Sequence, residues 1–300
     1  MLEFLTDSLR AALVHVNMNF VYELRIRANK PVVVNYGGKY SFLGTNGITE
    51  HISAAIVSSY SDIENIIYRA SEYSVYSVTE QLKQGFLTGA GGERIGLAGI
   101  FVYENGTTFT VKEVTSLNIR VPHEVRGSGA LIYQKCFSQE VPSPLLLSPP
   151  GRGNTTILRA LSRLISAHKI LNILINDERN EISAAYRDFS LDTGAFSDVI
   201  RYSYKRDALI SAVRAMRPDI IITDELVSKE ELDSVAACIR GGVHVIASAH
   251  FKDLENMRNA EIFAGILKEK LFCHYIILDA EEIGKISAIY DRDFSLVYES

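Results

Sequence analysis

The sequence predicts an α/β protein in two parts: a smaller α+β domain over residues 1–125, then a mostly parallel sheet covered by helices over residues 126–300. Three observations carry this. The chain has 300 residues, enough for two cores at about 100 to 200 residues per domain. Its first half offers short alternating segments broken by glycine. Its second half offers short continuous apolar runs alternating with amphipathic helices, the mark of strands buried on both faces.

In the first half, residues 23–34, a turn at Gly37-Gly38 and residues 39–43 read as paired strands. Residues 53–70 place Ile56, Tyr60, Ile63, Ile67 and Ala70 at helical spacing, and 78–84 form a shorter helix ended by Gly85. Residues 94–103 and 107–111 flank Glu104-Asn105-Gly106, where Asn-Gly supplies the positive φ angles of a tight hairpin. After Gly127-Ser128-Gly129 the grammar changes. Apolar runs at 145–147, 170–175, 220–223, 243–247 and 275–278 alternate with helical stretches at 155–167, 207–216, 229–240 and 253–268. Residues 286–298 read as a final hairpin.

Charge and cysteine usage narrow the function classes. Thirty-one Lys plus Arg against 36 Asp plus Glu leave a formal charge of −5, so no global basic field attracts nucleic acid, which is not an expected partner. Cys136, Cys238 and Cys273 lie far apart, with neither disulfide nor zinc-ligand spacing, as suits a reducing cytosol. The first residues carry acids where a secretory signal carries Lys or Arg, and no apolar run approaches the roughly 18 residues of a membrane span. The expectation is a cytoplasmic chain without direct membrane insertion, reaching a membrane only through partners.

The chemistry-bearing candidate lies between the run 145–147 and the helix of Ile157, Leu158, Leu161, Leu164 and Ile165: Ser148-Pro-Pro-Gly-Arg-Gly-Asn154-Thr155-Thr156. Strand, glycine-rich turn and helix in that order make a phosphate cradle, because backbone N–H groups and a helix N-terminus converge on one anion. Against the pattern G-x-x-x-x-G-K-[ST], Ser148 replaces the opening Gly and Asn154 replaces the Lys that reaches the β and γ phosphates. Thr155 retains a hydroxyl for Mg²⁺. Exchanging a charged donor for a neutral amide lowers a contact from about 1.5–3 to about 0.5–1.5 kcal/mol, so binding weakens without vanishing. Arg152 offers charge from another direction. Alone, the loop reads equally well as an ordinary strand-to-helix turn.

Downstream segments shift that balance. Pro218-Asp219-Ile-Ile-Ile-Thr-Asp224-Glu225 is a buried strand delivering two acids at its carboxyl end, where ligands gather in open α/β sheets. Asp224 suits Mg²⁺, and Glu225 suits orienting and deprotonating an attacking water. Asp177-Glu178-Arg179 follows the run 170–175: Glu178 polarises water and Arg179 meets phosphate across a subunit boundary, or the segment is a solvated turn with a local ion pair. His250 follows the run 243–247 and is placed to sense a γ phosphate. Arg25 and Arg27 alternate on one strand face; among Arg120, Arg126, Arg201, Arg206, Arg214 and Arg217, the last two precede the acidic strand and carry most interest.

At these residues the chain resembles the stage III sporulation protein AA family and, more distantly, RecA-like motors of type II and type IV secretion. The resemblance spans most of the chain: Glu23-Leu-Arg-Ile-Arg27, Gly91-Gly-Glu-Arg-Ile-Gly-Leu-Ala-Gly99, Ser116-Leu-Asn-Ile-Arg120, Pro149-Pro-Gly-Arg-Gly153, Asp177-Glu-Arg-Asn-Glu-Ile182, Met216 to Glu225, and Gly242-Val-His-Val-Ile-Ala247. It implies a RecA-like P-loop ATPase domain at 126–300, with ATP and Mg²⁺ as cofactors. It also implies a homo-oligomeric, hexameric ring at the base of membrane-embedded channel proteins, on the mother-cell side of a channel to the forespore. The nucleotide-binding set would be Pro150, Gly151, Arg152, Gly153, Asn154, Thr155 and Thr156; the metal ligands Thr155 and Asp224; the catalytic set Glu225, Glu178 and His250. The alternative is a non-hydrolysing nucleotide-binding or scaffold ring subunit, motivated by Asn154.

Overall fold

The structure is a computed structural model that describes residues 2–71, 78–104, 106–123, 127–138, 140–185, 189–201 and 203–300. The chain folds as two units, residues 1–123 with 184–190, and residues 124–183 with 191–300. The expected boundary at 125/126, Arg126 and the hairpin residue Asn105 lie outside the described residues.

The first unit runs α1 (Asp7–Leu13), β1 (Val21–Arg27), β2 (Lys30–Pro31), β3 (Val33–Tyr36), β4 (Lys39–Gly44), β5 (Gly47–Thr49), β6 (Val57–Ser58), α2 (Tyr60–Ala70), α3 (Thr79–Lys83), β7 (Phe86–Thr88), β8 (Arg94–Glu104) and β9 (Thr107–Arg120). Among the described residues, an antiparallel sheet takes the order β5-β4-β3-β1-β9-β8-β7. Strand β1 buries Val21, Leu24 and Ile26 and turns Arg25 and Arg27 the other way, where Arg25 pairs with Glu23. The expected continuous strand over 23–34 is broken at Asn29, whose φ of 57° turns the chain into β2 and β3. Helix α2 starts at Tyr60 rather than near residue 53. Ser59 and Asp62 form a reciprocal capping box, and β6 pairs with β2 just before it.

The glycine-rich segment 91–99 serves packing within this unit. Glu93 is fully buried and accepts the backbone N–H groups of Leu2 at 2.9 Å and Gly91 at 2.8 Å. Gly92 sits at φ +78°, and a Cβ there would stand 2.4 Å from the carbonyl oxygen of Ala184. Only glycine fits that combination of backbone angle and close approach.

The second unit runs α4 (Ala130–Cys136), β10 (Pro144–Ser148), α5 (Asn154–His168), β11 (Ile173–Asp177), β12 (Ser197–Arg201), α6 (Lys205–Met216), β13 (Ile220–Thr223), α7 (Lys229–Arg240), β14 (His244–His250), α8 (Leu254–Arg258), α9 (Ala264–Glu269), β15 (His274–Leu278), β16 (Ile286–Asp291) and β17 (Leu296–Glu299). Its sheet has the order β12-β11-β13-β14-β10-β15-β16-β17, parallel through β15 and antiparallel from there. The apolar runs serve two cores at once. Leu145 and Leu147, Ile221, and Val245 and Ala247 enter one core; Leu146, Ile220 and Ile222, and Ile246 enter the other. Each fully buried Leu or Ile is worth about 1.5–3 kcal/mol over exposure, which holds these strands in the middle of the unit.

Two expectations need correction, and one strand carries no signal in the sequence. The run at 170–175 becomes a strand only from Ile173, since Ile170 is 87% exposed. The helix expected over 253–268 is interrupted at Ala260, whose extended backbone (φ −78°, ψ 115°) lets Met257, Phe263 and Ile266 all reach the core. Strand β12 has no apolar run and pairs only at the sheet edge, so burial left no periodic trace of it in the sequence.

Candidate functional site

Because β10 to β15 are parallel, their carboxyl ends share one edge of the sheet, and the predicted site residues converge there. Strands β10 and β13 are not neighbours; β14 runs between them, with Ser148 in register with His250 and Thr223 with Ala247. The intervening strand supplies the link. His250 places Nδ1 3.2 Å from the carbonyl oxygen of Ser148 and Nε2 3.2 Å from Oε1 of Glu225. Both neighbours are acceptors, so a neutral ring can donate to one of them at a time.

The loop after β10 turns on two left-handed glycines, Gly151 at φ 77° and Gly153 at φ 96°. Gly153 is the N-cap of α5, no side chain among the described residues caps that helix, and its first turn holds no acid. The first N–H groups of α5 therefore remain open to an anion. Pro150 and Gly151 are exposed, while Arg152, Thr155 and Thr156 are half-buried. Asn154 is buried, and neither atom of its amide finds a partner among the described residues. Arg152 is turned to the other flank: it donates to the carbonyl oxygen of Glu281 at 3.2 Å, and its own carbonyl accepts from Gly284 N–H at 3.0 Å. A groove of about 1070 Å³ opens beside that flank. Asp253, Glu255, Asp279, Glu281 and Glu299 outweigh Lys252 and Arg258 on its walls, so a polyphosphate does not belong there.

The carboxylates are held differently from one another. Asp177 is fully buried and accepts the N–H groups of Glu181, Ile182 and Ser183 and the Ser183 hydroxyl, a loop-building role. Arg159 of α5 donates to the carbonyl oxygens of Glu181 and Ile182 and fastens that loop. Glu178 pairs with Lys205 at 2.8 Å. Arg179 pairs with Glu225 of its own chain, and Glu225, at φ 40°, is further fixed by its N–H to Ser248 Oγ at 3.0 Å. Asp224 is 1% exposed and neither of its oxygens accepts a hydrogen bond among the described residues. Burial pushes its carboxyl up to about 7; Lys205 opposes the rise, while Asp177, Glu181 and Glu225 add to it.

Thr223 Oγ1 and Asn176 Oδ1, on adjacent strands beside Asp224, are also buried without partners among the described residues. Arg214 and Arg217 are elsewhere. They precede β13 and stand at its amino end, the opposite edge of the sheet. Sequence reasoning does not single out Lys205. It opens a helix like any surface lysine, and only the tertiary fold shows it 4% exposed among acids.

The comparisons agree with this architecture. The family model described as "Sporulation stage III, protein AA" matches residues 1–297. Stage III sporulation protein AA of Bacillus subtilis (strain 168) is 32% identical over 280 residues, covering 91% of this chain and 87% of that protein. Among solved structures, the pilus retraction motor PilT with bound ADP superposes with a TM-score of 0.59 at 14% identity, covering 87% of this chain and 74% of that one. The Legionella pneumophila ATPase DotB does so with a TM-score of 0.57 at 12% identity, covering 89% and 74%. These two establish the fold: a RecA-like α/β unit with a mostly parallel sheet, preceded by a smaller α+β part. With a family match over nearly the whole chain and that fold beneath it, the chain belongs to the stage III sporulation protein AA family.

Proposed function

We propose that this chain is an ATP-binding, Mg²⁺-dependent ATPase subunit of a homo-hexameric ring. In this reading residues 1–125 and 126–300 are its functional domains, and the ring stands on the cytoplasmic mother-cell side of membrane-embedded channel proteins. The observation that carries the nucleotide part is the convergence, on one sheet edge, of buried polar atoms without partners among the described residues: the Asn154 amide, Asn176 Oδ1, Thr223 Oγ1 and both oxygens of Asp224. Each such group costs about 1–3 kcal/mol when left unsatisfied, so their occurrence along the edge that carries both the glycine turn and the carboxylates supports a place completed by a ligand. No described helix is long and apolar enough to cross a membrane.

The residues divide the work by position. Backbone N–H groups from Gly151 to Thr156 cradle the phosphates beside Pro150, Gly151 and Gly153 setting their direction. Asn154 donates its amide to phosphate in place of a lysine. The Thr155 hydroxyl and Asp224 are the groups that fit Mg²⁺, which when bound neutralises charge on the phosphates. Glu225 orients and deprotonates the attacking water, held between Arg179 and His250. His250, bonded to the loop strand on one side and to Glu225 on the other, reports occupancy of the loop to the base. Glu178 tunes the same carboxylate group through Lys205.

Titration with labelled ATP tests binding, and phosphate release compared with Glu225→Gln tests catalysis. Mg²⁺-dependent micromolar binding and release that the substitution abolishes are expected; no binding by wild type overturns the reading. The second reading, a non-hydrolysing ring subunit, draws on Asn154 and on the engagement of Arg152 by the 281–284 turn. It predicts ATP binding by wild type without phosphate release, or no binding until Asn154→Lys is introduced.

A further inference from the structure

The carboxylate edge contains a cation to which the sequence pattern assigns no role. Lys205 is the first residue of α6; its side chain is 5% exposed and its Nζ lies 2.8 Å from Glu178, 3.7 Å from Glu231 and 4.0 Å from Asp224. The acids come from separate elements, just past β11, just past β13 and the first turn of α7. A buried ammonium group costs several kcal/mol unless it is paired, so this convergence is what keeps Lys205 inside. Glu231 already serves its own helix, accepting the Val227 N–H at 2.8 Å and the Ser228 N–H at 3.2 Å through Oε2, and it offers only Oε1 to Lys205. Asp224 stands apart. At 4.0 Å the ammonium group supplies charge without occupying a lone pair, and both Asp224 oxygens stay without a hydrogen bond among the described residues.

Charge arithmetic points the same way. One ammonium group faces three carboxyl groups, so the set holds more acid than base, an imbalance that a divalent cation relieves.

We propose that Lys205 is the positioning residue of the cation site: it holds Glu178, Glu231 and Asp224 assembled in the metal-free protein and leaves Asp224 open for a divalent cation. The inference rests on the assignment of Asp224 to Mg²⁺ in the proposed function, and is independent of whether ATP is bound or hydrolysed.

The test is thermal denaturation without nucleotide, in EDTA and in millimolar MgCl₂, of wild type, Lys205→Met and Lys205→Arg. In EDTA, Lys205→Met is expected to melt lower than wild type by at least about 5 °C, because it strands buried carboxylates. Mg²⁺ should restore at least half of that loss, while wild type, whose Lys205 already holds the carboxylates, rises measurably but by less than that restoration, and Lys205→Arg follows wild type. An equal loss with and without Mg²⁺ reduces Lys205 to an ordinary structural ion pair and overturns the proposal, as does no loss at all. Should Lys205→Met fail to fold, Mn²⁺ titration of Glu178→Gln followed by electron paramagnetic resonance decides. Freed from Glu178, the ammonium group moves onto Asp224 and weakens Mn²⁺ binding at least about threefold; unchanged binding refutes the inference. Wild type that shows these cation responses but no ATP binding would discard the nucleotide reading and leave this one standing.

Discussion

The two halves of the sheet edge handle charge in opposite ways. In the loop half, after β10, the cation expected at position 154 is a neutral amide, and the nearby Arg152 is drawn to the backbone of residues 281–284. In the carboxylate half, after β11 and β13, charges are dense and already paired, with Glu225 between Arg179 and His250 and Lys205 among Glu178, Glu231 and Asp224. The contrast teaches that a weakened phosphate loop need not mean an abandoned site. A loop that holds phosphate by backbone N–H groups tolerates loss of one donor by degree, whereas a buried set of carboxylates without cations would unfold its own surroundings.

Four substitutions separate the halves. The largest effect belongs to Glu225→Gln, which should lower phosphate release by about 10²- to 10⁴-fold while ATP still binds. Survival of hydrolysis would remove the carboxylate half from catalysis.

Asp224→Asn comes next and concerns stability against pH. The carboxyl rises from an ordinary 3.8 to about 7 in the fold, so the folded chain keeps a proton that the unfolded chain has lost. That contribution is complete below about pH 4 and is lost as pH climbs through about 7. Between pH 5 and 8, metal-free wild type should therefore lose about 1–3 kcal/mol relative to Asp224→Asn in urea denaturation. Parallel curves would mean that Asp224 is not buried as described.

Gly153→Ala should weaken ATP binding about tenfold, since a left-handed alanine costs roughly 1–2 kcal/mol. Its Cβ would meet Gly284 only at an ordinary contact distance of 3.5 Å, so the backbone angle carries the effect. Unaltered affinity would show that the loop geometry is irrelevant to phosphate. The smallest effect is a gain: Asn154→Lys should tighten ATP binding about five- to tenfold by calorimetry. A gain of several orders of magnitude would instead identify wild type as a non-binding scaffold.

Much of the second unit was legible because its strands are buried on both faces. Leu145-Leu146-Leu147 and Ile220-Ile221-Ile222 are continuous apolar runs, and their positions alone put Gly151, Gly153, Asp224 and Glu225 at strand ends. Edge strand β12 and the broken stretch 253–268 were not legible, since an edge strand needs no apolar period and the bend at Ala260 comes from packing rather than from a breaker residue. The same applies to charges. Nothing local distinguishes Arg217, stranded at the far edge, from Arg179, paired with Glu225.

The chain's residue order, by itself, determined the α/β class, the glycine turn and the acids that close β13, because backbone angles and burial period are local properties of the chain. Only the tertiary structure decided that β14 and its His250 stand between loop and acids, that Arg152 faces residues 281–284, and that Lys205 lies buried among three carboxylates. These depend on strand order and on the dielectric environment of each charge, which arise from contacts between residues distant in sequence.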